Sequence, residues 1–85
     1  SRLGDRRKAL ADAEDRVARA RQNLERAQTA LEQGRAPLPG ETIGTAGGGV
    51  RPSDEYLRRI AQMERDVEFA KLALDEALKA RNQAR

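Results

Sequence analysis

A seven-residue repeat constrains this chain more than any other feature of it. Leu3, Leu10, Val17, Leu24 and Leu31 recur every seven residues, and Ala13, Ala20 and Ala27 follow three places behind. The period returns after a Gly/Pro-rich break, with Ile60, Val67 and Leu74 as one series and Met63, Ala70 and Ala77 as the other. A heptad that alternates a large residue with alanine belongs to helices that pack along their whole length. The expected fold is therefore all-α: a two-helix antiparallel coiled-coil hairpin, a single domain over 1–85, open to dimerisation into a four-helix bundle.

Composition narrows the function classes. Tyr56 and Phe69 are the only aromatic residues, and cysteine and histidine are absent. A chain of 85 residues with this Ala, Leu, Arg and Glu usage suits long helices rather than a globular enzyme core. Without cysteine, neither a disulfide framework nor thiolate chemistry is available to it. No apolar run approaches the length of a membrane span. The chain opens at Ser1 rather than Met, as a processed or excised segment would, so the lack of a leader says nothing about a parent protein.

The first helix is expected over about 5–33, capped by Asp5 after Gly4 and stopped by Gly34 in a left-handed C-terminal turn. Asp12 with Arg16 and Asp15 with Arg19 are acid-before-base pairs that solvate its outer face. Residues 35–52 hold all three prolines and five of the seven glycines, a composition that predicts neither helix nor packed strand. Eighteen residues exceed what two adjacent helices need for a connection, which makes this loop either a functional tip or a tolerated insertion. The second helix is expected over about 53–83, with Ser53 as N-cap, Asp54 and Glu55 in the first turn, and Pro52 against Leu57 as a hydrophobic staple.

Facing residues of an antiparallel pair have position numbers with a constant sum. The ends of the break, 35 and 52, add to 87. A hairpin centred there sets Ala27 against Ile60, Leu24 against Met63, Ala20 against Val67, Val17 against Ala70, Ala13 against Leu74 and Leu10 against Ala77. Large meets small in nearly every layer, which fills space at close helix separation. Arg21 then lies near Glu64 and Glu14 near Lys71. A sum of 94 also pairs large with small, and remains the alternative.

Two surfaces are candidate contact sites. Phe69 and Leu72 fall on the side of the second helix away from the seam, where a solvated monomer should be polar; a homodimer or another protein would cover them. The loop folding back with Leu38, Ile43 or Val50 is the less direct alternative. At the open end, Arg2, Arg6, Arg7 and Lys8 meet Lys79, Arg81 and Arg85, with Arg6 and Arg81 expected in one layer. That collection suits either helix-dipole complementation or an anionic partner such as nucleic acid or a membrane surface. The lack of base-stacking aromatics and the interleaved acids weigh against nucleic acid.

Gly44, Gly47, Gly48 and Gly49 lack the lysine-serine pair and preceding strand of a phosphate loop. Asp54 with Glu55 and Asp75 with Glu76 are sequence neighbours that point apart on a helix, unlike an acid/base pair or a metal cage. No catalytic, cofactor or metal-binding residues are expected, and no enzyme.

The run GRAPLPGETIGTAGGGVRPSDEYLRR, followed by LDEALKARNQAR, resembles the helical C-terminal portion of uncharacterised bacterial cell-envelope proteins, in which a small domain precedes an alanine-rich coiled hairpin with a PLPGE...GGG linker. The resemblance implies a periplasmic or secreted setting and no known activity, and it carries over no functional residue. The segment ARARQNLERAQTALEQG is similar to the hairpins of periplasmic adaptor subunits of efflux pumps and type I secretion systems. Those turn tightly at the tip through a characteristic Arg, Leu and Ser arrangement, which the long loop here lacks. The resulting expectation is a noncatalytic protein-protein interaction, oligomerisation or spacer module, with anionic-ligand binding at the basic end and an adaptor-type hairpin as alternatives.

Overall fold

The computed structural model describes residues 1–85 as two long helices lying side by side, joined by a short β-ribbon. Helix α1 spans Arg2–Gly34, strand β1 Thr42–Gly44, strand β2 Val50–Pro52 and helix α2 Asp54–Ala84. The molecule is a rod of 73 × 15 × 12 Å. At 1.5 Å per helical residue α1 is about 50 Å long, and the ribbon extends the rod beyond the helix pair. The expected all-α hairpin is the fold observed.

Helix α1 begins earlier than its sequence suggested. Ser1, not Asp5, is the N-cap: its Oγ accepts from the Gly4 amide at 3.0 Å, and its carbonyl accepts from the Asp5 amide at 2.9 Å. Asp5 sits in the first turn, where its charge complements the helix dipole. At the other end Gly34 is still helical and has no positive φ; the C-cap is Arg35, in right-handed geometry at φ −66°. Helix α2 starts as expected, with the Ser53 Oγ accepting from the Tyr56 amide at 3.1 Å. Leu57, expected to staple against Pro52, stays 53% exposed.

The 35–52 segment forms a tight turn and an exposed two-stranded ribbon, where neither helix nor packed strand was expected. Leu38-Pro39-Gly40-Glu41 forms a turn in which the Glu41 amide donates to the Leu38 carbonyl at 3.0 Å. Proline at its second position and Gly40 at φ +84° at its third are the requirements of a type II turn. Strands β1 and β2 then pair antiparallel, Thr42 with Pro52, Ile43 with Arg51 and Gly44 with Val50. A three-residue loop closes them: the Thr45 amide donates to the Gly49 carbonyl at 2.8 Å, the Gly48 amide to the Thr45 carbonyl at 3.1 Å, and Gly48 takes φ +87°. β-Branched Thr42, Ile43 and Val50 supply the strand preference that the glycines alone would deny.

The ribbon also sets the helix register. Its paired positions, 42 and 52, 43 and 51, 44 and 50, all add to 94. The core cluster obeys the same sum: Val17 and Ala20 of α1 are buried with Ala77 of α2, flanked by Leu74 and Leu78. A sum of 87 would instead have placed Ala77 beside Leu10, about 10 Å further along the seam. The alternative register is therefore the real one. The sum of 87 does not hold because the break is lopsided: residues 35–41 run beside the first two turns of α2 and the chain reverses at Gly47. Small still faces large, Val17 against Ala77 and Ala20 against Leu74. Arg81 falls in the layer of Ala13, with its Nε buried and unpartnered.

No ion pair joins the two helices. Asp12 pairs with Lys8 at 3.8 Å rather than with Arg16, and Lys71 with Glu68 at 3.3 Å rather than with Glu14. Neither Asp15 with Arg19 nor Arg21 with Glu64 forms a pair. Exposed pairs of this kind contribute little. The antiparallel order rests on the connection and on the fit of the seam.

Candidate functional site

Helix α2 turns its seam residues Ile60, Val67 and Ala77 inward, and the same 3.6-residue period carries Arg65, Glu68, Phe69 and Leu72 to the opposite side. Phe69 is 69% and Leu72 59% exposed, and these four side chains line one shallow depression. Both expected apolar residues thus lie together in solvent. Arg65 has no carboxylate partner in its own chain; its Nη2 donates to the Gln62 side chain at 2.9 Å. Glu76, one turn beyond Leu72, pairs with Lys79 at 3.5 Å in a solvated arrangement. Leu38, Ile43 and Val50 stay with the ribbon at the far tip, so the fold-back alternative does not occur.

The basic end does not converge as expected. In the observed register Arg81 lies opposite Ala13, and Arg2, Arg6, Arg7 and Lys8 continue past the end of α2 with nothing beside them. Arg6 and Arg81 are about seven positions, roughly 10 Å, out of step. Lys8 and Lys79 are each held by an acid of their own helix, and Arg85 closes α2 as its C-cap. The cations are strung along the rod rather than gathered into a pocket.

The tip carries the most constrained polar group of the molecule, which sequence reading missed. Glu41 and Arg59 form a two-pronged pair, Arg59 Nε donating to Oε2 at 2.8 Å and Nη2 to Oε1 at 2.7 Å. The Leu38 amide donates to the same Oε1 at 2.8 Å, and Arg59 Nη2 also reaches the Ala36 carbonyl at 3.3 Å. The Ser53 amide donates to the Glu41 carbonyl at 2.8 Å. The Tyr56 hydroxyl donates to the Arg35 carbonyl at 2.6 Å, and the Arg59 guanidinium lies 5.4 Å from the Tyr56 ring centre. The Arg59 hydrogen bonds, then that of the Leu38 amide, hold the Glu41 carboxyl below its ordinary pKa, and Glu41 holds Arg59 above its own. The chemistry is that of a clamp: it fixes residues 35–41 to α2 and aims the ribbon along the rod.

No three acidic side chains come together as a cation cage would need, and neither helix is long and apolar enough to cross a membrane. Comparison with protein-family models, characterised proteins and solved structures finds no match for this chain.

Proposed function

We propose that the chain is a noncatalytic protein-protein interaction and spacer module, a stiff rod that self-associates through the outer face of α2. The observation that carries this reading is the exposure of Phe69 and Leu72, side by side on a face whose other positions are polar or charged. Burying one such side chain is worth about 1.5–3 kcal/mol. The hairpin itself buries only 8 of its 85 residues, so association would add substantially to a thin core. The resemblance to cell-envelope hairpins supplies the setting of the proposal, periplasmic or secreted.

Light scattering and sedimentation at micromolar concentration test it. Wild type is expected to exceed monomer mass, and Phe69→Ser to be monomeric with unchanged helical circular dichroism. Association that ignores Phe69→Ser, or a wild type that stays monomeric up to about a hundred micromolar, would end the reading.

A further inference from the structure

The outer face of α2 carries a second, shorter heptad. Gln62, Phe69, Glu76 and Gln83 are spaced by seven, and Arg65, Leu72 and Lys79 interleave with them three places on. The two apolar positions stand at the centre, with a cation one turn before them and an anion one turn after. That order is self-complementary under one operation only. If a second α2 runs antiparallel about an axis between positions 70 and 71, Phe69 meets Leu72 of the copy, Arg65 meets Glu76, and Gln62 meets Lys79. Each pairing occurs twice by symmetry. A parallel copy would place Arg65 beside Arg65 and Glu76 beside Glu76 around the apolar centre, which opposes association. Of the two cations in this pattern, Lys79 is paired with Glu76 of its own chain, whereas Arg65 has no carboxylate of its own chain.

Resting on the reading of this face as a docking surface, we infer that its occupant is a second copy of the chain, antiparallel, registered by reciprocal Arg65 and Glu76 pairs around Phe69 and Leu72. The face lies nearly opposite the seam, at about 100° of turn per residue. The assembly is then a flat layer of four helices, the two α2 helices inside and the α1 helices outside, rather than a closed bundle. Its β-ribbons point in opposite directions, with the two tips roughly 80–90 Å apart from helix and strand rise. The dimer is a two-ended spacer.

Spin labels on Asn82→Cys, an exposed position off the contact face, test the geometry by dipolar distance measurement in the full chain. The antiparallel pair is expected at roughly 35–40 Å and a parallel pair below about 20 Å. In parallel, Arg65→Glu is expected to weaken association at least about tenfold, and Arg65→Glu combined with Glu76→Arg to restore it. A short label distance in a dimer that Phe69→Ser still dissociates would overturn the antiparallel copy while leaving the docking face intact. A dimer indifferent to Phe69→Ser would overturn both, and so would a strict monomer. Failure of the double charge reversal to rescue Arg65→Glu would overturn the Arg65–Glu76 register.

Discussion

Gly34 shows how one residue can be placed by its neighbours rather than by its own conformational freedom. It is the next member of the alanine series Ala13, Ala20 and Ala27 and ends α1 with ordinary helical geometry. A Cβ there would lie 2.5 Å from Met63 Sδ and 3.0 Å from Arg59 Nη1, and the clamp with Glu41 keeps Arg59 from giving way. Gly34→Leu, which the heptad alone would welcome, is expected to cost about 2 kcal/mol by overpacking. Gly34→Ala should cost less than Gly34→Leu, since its Cβ chiefly displaces the flexible end of Met63 and alanine has the better helix propensity; urea denaturation measures both. The heptad made this position's place on the seam legible. Glycine's commoner use as a helix stop concealed it, because a close approach depends on a partner far away in sequence.

At the scale of the element, the ribbon and its clamp decide how the two helices are aligned. The clamp predicts a pH response. The Glu41 pKa is lowered in the folded chain, so the stabilisation it provides is complete above the ordinary carboxylate value of about 4.3 and is lost as pH falls through the depressed folded value. Carbon-detected NMR should show Glu41 as the last glutamate to protonate. The amides of Thr45 and Ser53 should lose exchange protection over that same acid range while the helices persist. Glu41→Gln should loosen the ribbon at neutral pH and abolish the response. Protection of the ribbon that is indifferent to both changes would remove Glu41 as its anchor. The PLPGE turn was readable from Pro39 and Gly40 by turn chemistry, whereas the pairing of Glu41 with Arg59 was not. Eighteen residues separate them with no periodic relation, and only the folded path of 35–41 brings them together.

For the whole molecule, the heptads made the architecture legible and left the alignment of the helices open. Two registers both fitted large to small, the flanking charges of Arg21 with Glu64 and Glu14 with Lys71 favoured the wrong one, and the choice depended on where the chain reverses, which the clamp sets. The hairpin has a Cα radius of gyration of 20.0 Å and a length of 73 Å, and small-angle scattering of the monomeric Phe69→Ser variant should return values close to these. A single unbroken helix of the same chain would reach about 130 Å, and uncoupled halves would give no fixed maximum dimension.

The shared register has a bearing on where this rod tolerates change. Thr45 and Gly49 form the last rung of the ladder, and only Ala46, Gly47 and Gly48 lie outside it. A peptide or a whole domain spliced into those three residues would be insulated from the helices, since every rung below is already closed. The same splice at Ala36 or Leu38 would pull Glu41 off Arg59 and free one helix to slide against the other. The far end of the ribbon is thus a natural mounting point, and the bend just below it is not.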